Sequence, residues 1–272
     1  MGILNGTSNF ILTKMTREQT SFEDALDEAQ RLGFAEADPT DDVEGVDAAR
    51  KVVITSYLSF NQVIKLNDVK LTGISGTTLS DINAADQLGF KIKLIGKGTY
   101  ENGHVHASVE PTLIHKSHQL AAVENEYNAI YVIGDAVGDT MFYGKGAGSL
   151  ATGSAVVSDL LNVALFFESN LHTLPPHFEL KTDETREMMD GEEPVVIQEK
   201  LNYYIVLQNN HLTFDKIEND IKALLPFHKS LQIAERDENT VAVIIIGLDQ
   251  SPEDVLNKSG YEVEKIYPVE GV

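Results

Sequence analysis

The segment spanning residues 29–51, AQRLGFAEADPTDDVEGVDAARK, constrains this chain more than any other stretch. It crowds carboxylates around two glycines and a proline, then runs straight into an apolar helix. Asp38–Pro39 supplies a turn start. Asp47 and Lys51 are spaced i,i+4, so on a helix they share one face with the acid first, the favourable order for an ion pair. Taken alone, such a pair is a solvated surface bridge. Here Ala48, Ala49, Val52, Val53 and Ile54 leave little polar surface beside it. The spacing therefore predicts a buried helix start, and charges are seldom buried without a task.

Around this segment the pattern alternates between helices and strands. A helix is expected over 9–15 after a Gly-Thr-Ser turn at 6–8. Ser21, with Asp24 three residues on, predicts the N-cap of a second helix that runs to Leu32 and stops at Gly33. An acidic loop over 34–45 leads into a third helix over 46–61. From residue 69 the pattern turns to strands: 69–75, then a short helix near 81–88, then 91–100 and 104–111 around Asn102–Gly103, a hairpin signal. Strands over 129–133 and 140–143 precede a glycine-rich turn and a helix over 152–169. Residues 173–194 are rich in proline and charge and read as a linker. Beyond them the order is strand (195–208), helix (214–225), strand (231–234), strand (240–248), helix (252–258), strand (261–267). A βαββαβ order implies a small antiparallel sheet with two helices on one face. The expected class is α+β: a mixed-sheet domain over 1–172, a linker over 173–193 and a small ferredoxin-like domain over 194–272.

Several function classes are disfavoured by composition. The formal charge is −21 over 272 residues, which argues against nucleic acid or anionic membranes as partners, because phosphate binding needs a basic surface. The chain has no cysteine, so thiol catalysis, disulfides and cysteine-ligated metals are excluded. No signal-peptide pattern opens it, and no uninterrupted apolar run approaches the roughly 18 residues of a membrane span. A cytoplasmic protein is the simplest expectation. His104 and His106 share a strand face, but alternation is natural to an exposed hairpin and no metal site is read there.

The 29–51 segment resembles the defining motif of homoserine dehydrogenases, met here by Ala29, Gly33, Phe34, Ala35, Asp38, Pro39, Asp42, Val43, Gly45, Asp47 and Lys51. Residues 2–15, GILNGTSNFILTKM, are similar to that family's entry into its substrate domain. Tyr143 with residues 144–159, GKGAGSLATGSAVVSD, is similar to its late glycine-rich turn and the returning helix of its cofactor domain. The C-terminal βαββαβ order resembles an ACT domain, the amino-acid-sensing module many members carry there. Such domains place an Asp and a Gly after their first strand, where this chain has Asn209, Asn210 and His211.

The resemblance implies NAD- or NADP-dependent interconversion of aspartate semialdehyde and homoserine. It places the catalytic lysine on Lys51 and the aspartate that bonds the substrate hydroxyl on Asp47. It places the amino-group ligand on Glu36, with Asp42 beside it, and the contact to the nicotinamide cofactor on Gly148, in the turn it shares with Gly146. Gly6 and Thr7, before a helix N-terminus, can hold a carboxylate through free backbone N–H groups, or simply belong to a capped helix. Glu36 alone would read as a solvated loop carboxylate. The family's strand-GxGxxG-helix, its second lysine and its sodium site have no counterpart in these residues, so the resemblance implies the substrate half of an enzyme, inactive alone. A small-molecule substrate, an amino-acid effector at the ACT-like part and a homodimer or homotetramer are expected. The competing reading is a catalytically inactive regulatory or dimerisation protein that keeps the amino-acid-sensing domain. Intact Glu36, Asp47 and Lys51 argue against it.

Overall fold

Short polar side chains start the helices that frame the motif. In the computed structural model, which describes residues 1–168, 201–208, 212–249 and 251–272, Asn5 Oδ1 accepts from the Ser8 N–H at 2.8 Å and opens α1 (Gly6–Glu18). The expected turn at 6–8 is thus the first turn of that helix, because the cap lies one residue before it. Ser21 Oγ accepts from the Asp24 N–H at 3.1 Å and opens α2 (Phe22–Arg31), as expected. The acidic loop contains a short helix, α3 (Thr40–Val43), which the sequence pattern did not show. Gly45, at φ 80°, turns the chain into α4 (Val46–Phe60). A left-handed φ favours glycine, and a Cβ there would also lie 3.1 Å from the Leu71 and Val109 side chains.

The strands of the first part are β1 (Gly2–Ile3), β2 (Lys70–Leu71), β3 (Phe90–Glu101), β4 (His104–His115), β5 (Tyr127–Gly134) and β6 (Gly138–Lys145), with α5 (Leu79–Gln87) before β3. They line up as β6-β5-β1-β3-β4, with β2 parallel to β4 off that path. Asn102 (φ 52°) and Gly103 (φ 82°) are both left-handed and close the β3–β4 hairpin, the geometry a two-residue loop of this type requires. The strand expected over 69–75 shrinks to the two residues of β2. Past Thr72, whose N–H bonds Val109 O at 2.8 Å, the chain leaves the sheet and lies against α3. Helices α1, α4 and α5 share one apolar core with the strands they cover, including Leu12, Met15, Ala49, Val52, Ile82 and Leu94.

The C-terminal elements are β7 (Leu201–Gln208), α7 (Phe214–Leu224), β8 (Ser230–Glu235), β9 (Thr240–Leu248), α8 (Glu253–Lys258) and β10 (Val263–Glu270). Their sheet runs β10-β7-β9-β8, with antiparallel neighbours throughout. The expected strand and helix order is met wherever residues are described. The expected linker at 173–193 and the turn at Asn209, Asn210 and His211 lie outside the described residues. One sheet face packs on α7 and α8 through Ile205, Leu207, Val243, Ile217, Ile221 and Leu256. The other face, through Tyr204, Val206, Ala242 and Ile244, joins the core of the first part beside α5. Both faces of β7 and β9 are buried, which is why those strands read as unbroken apolar runs rather than alternating ones. At its end β10 pairs parallel with β4, Val269 against Leu113, so among the described residues the strands form one ten-stranded mixed sheet.

Helix α6 (Ser149–Glu168) meets the helix expected over 152–169 and starts three residues earlier, but its length and apolarity were not expected. It is long and apolar enough to cross a membrane, with a mean hydropathy of 1.6 over Ser149–Phe167. No uninterrupted apolar run marks it in the sequence, because Thr152, Ser154, Ser158, Asp159 and Asn162 interrupt its apolar residues. Leu150, Leu160, Leu161 and Phe167 all stand exposed on it.

Candidate active site

Asn5 organises the site. As the cap of α1 it uses its side-chain oxygen on Ser8, which leaves both amide protons facing outward. They go to two carboxylates: Nδ2 donates to Asp42 Oδ1 at 2.7 Å and to Asp47 Oδ2 at 2.8 Å. Asp47 Oδ2 also accepts from Lys51 Nζ at 2.6 Å, and Lys51 donates a second bond to Leu4 O at 2.9 Å. An ammonium has three N–H donors, so these two bonds leave one for a ligand. Three separate elements therefore meet here: the β1–α1 junction, the end of α3 and the first turns of α4.

Asp47 and Lys51 are not buried as the spacing suggested. Their side chains are 31% and 44% exposed. The buried stripe of α4 is Ala48, Ala49, Val52 and Ser56. Asp47 and Lys51 sit on the flank of that stripe, and Ile54, an apolar neighbour in sequence, faces away from the core and is exposed. The pair is therefore partly exposed, with its charges accessible to a ligand from solvent.

The other candidates fall into place unevenly. Asp42, Asp47 and Lys51 form one hydrogen-bonded cluster through Asn5. Thr7 and Gly6 are the first residues of α1 rather than residues before it, beside Asn5. Thr7 Oγ1 donates to Phe34 O at 2.7 Å, which ties the start of α1 to the motif loop. A Cβ on Gly6 would lie 2.7 Å from Glu126 O, so the helix start packs tightly on the loop before β5. Glu36 is exposed, and none of the cluster's hydrogen bonds reaches its carboxylate; its backbone oxygen accepts from Gln30 Nε2 at 3.0 Å. Among the described residues no three His, Asp or Glu side chains converge as a metal-holding group.

Gly146 and Gly148 lie in the exposed turn between β6 and α6. Gly148 has φ 112°, a conformation that favours glycine, and its carbonyl accepts from Thr152 N at 2.9 Å at the start of α6. A Cβ on Gly146 would fall 2.2 Å from Asn128 Nδ2. That amide in turn donates to Leu4 O at 3.3 Å, the carbonyl that anchors Lys51. The glycine turn is thus one side chain away from the lysine. Asn128 Oδ1 is buried without a protein partner, an acceptor left over at this junction. A bare backbone turn beside an orphaned acceptor suits the close approach of a flat carboxamide ring.

Two of these residues escaped the sequence reading. Asn5 is a standard N-cap type directly before a helix, a signal that was available. Its bonds to Asp42 and Asp47 had none, because they link positions 37 and 42 residues apart. Asn128 carried no signal at all.

Comparison with known proteins identifies the family. The family model described as homoserine dehydrogenase matches residues 1–161, and the one described as homoserine dehydrogenase C-terminal domain matches residues 200–272. The homoserine dehydrogenase of Bacillus subtilis is 41% identical over 285 residues, covering 100% of this chain and 64% of that protein. A crystal structure of the Staphylococcus aureus homoserine dehydrogenase superposes with a TM-score of 0.87 at 73% identity, over 100% of this chain and 65% of that one. The Thiobacillus denitrificans enzyme gives a TM-score of 0.80 at 34% identity, over 99% of this chain and 63% of that one. This chain spans just under two thirds of the length of those relatives. The chain belongs to the homoserine dehydrogenase family.

Proposed function

We propose that this chain carries the substrate-binding and proton-transferring half of an enzyme that interconverts L-aspartate 4-semialdehyde and L-homoserine with NAD or NADP. The observation that carries the reading is the hydrogen-bonded, partly exposed Asp42–Asn5–Asp47–Lys51 cluster, whose Asp42, Asp47 and Lys51 belong to the motif resembling the family's. Reducing an aldehyde requires a proton on oxygen as hydride reaches carbon. Lys51, held by Asp47 and Leu4 O with one N–H left for the substrate, would give that proton and in the reverse direction take it. Asp47 orients the ammonium and accepts from the substrate hydroxyl. Asp42 and Glu36 supply negative charge for the substrate ammonium, Glu36 from an exposed position in the motif loop. The backbone N–H groups of Gly6 and Thr7, at the positive end of α1, suit the substrate carboxylate.

The nicotinamide supplies the hydride when bound. Gly146 and Gly148 would lie against it, and exposed α6 would pack on the rest of the dinucleotide-binding fold, which accounts for its apolar surface without a membrane. The C-terminal order and its β10-β7-β9-β8 sheet support a ferredoxin-like, ACT-like module. Residues Asn209 and Asn210 offer neutral carbonyls where an effector's ammonium would want a carboxylate, so this reading includes weak effector binding or none. Assembly as a homodimer or homotetramer in the cytoplasm belongs to the same proposal.

Calorimetric titration of L-homoserine into the chain tests the site without cofactor. Binding is expected, weakened by Glu36→Ala, while the deamino analogue of homoserine binds the variant and the parent alike. If both ligands lost affinity equally, Glu36 would not be the ammonium ligand. If neither bound the parent chain, the site itself would be misread.

A further inference from the structure

Asp81 is a carboxylate with 0% exposure, far from the candidate active site in sequence and in chemistry. It closes the capping box of α5 with Thr78, accepting from the Thr78 N–H at 2.9 Å and from Thr78 Oγ1 at 2.8 Å. It also accepts from two cations of the C-terminal sheet, Arg236 Nε and Lys265 Nζ, each at 2.6 Å. Arg236 further bonds Asp237 at 3.0 Å and Glu264 at 3.3 Å. Burial pushes the Asp81 carboxyl up, but the hydrogen bonds from Arg236, Lys265 and the Thr78 backbone outweigh it and hold it below the ordinary carboxylate range. Lys265 Nζ donates once more, to Gly76 O at 2.6 Å. A helix cap and its preceding turn are thus held by two side chains from β10 and the end of β8.

That turn touches the substrate motif. Thr77 N–H bonds Ile74 O at 2.9 Å, and Ile74 N–H bonds Val43 O at 2.7 Å, one residue past Asp42. Gly73 lies flat on the same place: a Cβ there would be 2.5 Å from both Glu44 Cα and Val43 O. These are backbone atoms, which cannot step aside as the tip of a side chain can. Residues 72–78 therefore form a strut, gripped at one end by the cations of the C-terminal sheet and pressed at the other against Val43 and Glu44. Asp42, on the adjoining residue, is the carboxylate that Asn5 sets beside Asp47.

We propose that Arg236 and Lys265 are positioning residues for the substrate site, acting through Asp81 and the 72–78 strut to hold Val43, and with it Asp42, in register with Asn5. The C-terminal sheet is then part of what makes the site competent. Whatever moves β10 relative to α5 is felt at Asp42. This rests on the reading of Asp42 as a homoserine-site residue, and the test separates the two.

Two variants of the chain perturb the strut from different ends. Lys265→Met frees Gly76 and half of the Asp81 clamp. Gly73→Ala leaves the ionic cluster intact but pushes the strut off Glu44. Ile217→Val, in the separate core under α7, serves as a control for lost stability alone. Hydrogen exchange at the Ile74 amide and calorimetric affinity for L-homoserine are measured in all three. Both strut variants should speed Ile74 exchange and weaken homoserine by about fivefold or more, the lower end of ordinary site-to-site coupling, while the control changes neither. Restoring the cation with Lys265→Arg should recover both readouts in part. Unchanged homoserine affinity in both strut variants, with Ile74 exchange accelerated, would overturn the positioning role. Unchanged Ile74 exchange would overturn the strut itself. Absence of homoserine binding by the parent chain would instead refute the site assignment, and the exchange measurement still decides the strut.

Discussion

Replacing Asn5 should damage this molecule in two separable ways. Its side chain is almost fully buried, caps α1, and donates to two carboxylates at 2.7 and 2.8 Å. Losing an N-cap costs about 1 kcal/mol. Losing hydrogen bonds to charged groups costs roughly 1.5–3 kcal/mol each when the acceptor stays buried. Asp42 and Asp47 are half-exposed and regain water, so Asn5→Ala should cost about 3 kcal/mol in total rather than the full sum. Asn5→Asp is the sharper perturbation. It keeps the cap acceptor but sets a third carboxylate against two others. At about 4 Å and an effective dielectric near 20, each such repulsion is on the order of 4 kcal/mol before relaxation. The Asp variant should therefore be less stable than the Ala variant at neutral pH. As pH falls through the carboxylate range the new side chain protonates, becomes a donor again, and the order should reverse. Urea unfolding of the parent and both variants at several pH values measures this. If the Asp variant were no worse than Ala at neutral pH, or both lay within about 0.5 kcal/mol of the parent, as ordinary surface changes do, Asn5 would not organise the site.

Three further outcomes are expected. Lys93 is buried, donating to Asn9 Oδ1 at 3.0 Å and Val123 O at 2.6 Å, and burial, aided by Lys91 and opposed by Glu124, pushes its amine down from 10.5 to about 7. The unfolded chain then binds more protons between about 7 and 10.5, so this residue's contribution to stability rises with pH across that window, by up to roughly 1.4 kcal/mol per unit; it is lost as pH falls through the folded value, and Lys93→Met should flatten the slope in urea titrations run at successive pH. By calorimetry, the chain should bind neither NAD nor NADP at micromolar affinity, since the described residues contain no strand-GxGxxG-helix, and clear binding of either would show a nucleotide site outside the glycine turn. Thermal shifts with millimolar threonine, methionine, isoleucine or lysine should be absent or small, and a threonine-specific stabilisation would refute the reading of Asn209 and Asn210 as poor ammonium acceptors.

Most of the local structure was legible in the sequence because it is local. Ser21 with Asp24, Asn102–Gly103, and the apolar runs of β7 and β9 each fix geometry over a few residues. Asp47 and Lys51 were found for the same reason, a helical spacing inside a dense motif. What stayed hidden depends on contacts between distant segments. The strand expected over 69–75 failed because Gly73 rests on Glu44, a contact across 29 positions that no period of 2 or 3.6 reports. The Asp47–Lys51 pair is more exposed than its apolar sequence neighbours imply, because Ile54, close in sequence, lies on another face of α4 and is itself exposed. Asn5 and Asn128 were missed because a single amide gives no pattern. The second face of the C-terminal sheet was missed because α5 is about 115 residues from β7 and belongs to the other part of the chain.

The central claim is that Lys51 is the proton donor of a homoserine dehydrogenase site. Its most direct test joins these 272 residues to the part of the S. aureus homoserine dehydrogenase, 73% identical over this chain, that they do not match. Turnover of aspartate semialdehyde with NADPH is then compared for the parent and Lys51→Ala. Removal of a positioned general acid should cut turnover by about 10²–10⁴, with semialdehyde affinity held within a few-fold. Near-normal turnover in the variant would contradict the account and leave Asp47–Lys51 a structural ion pair.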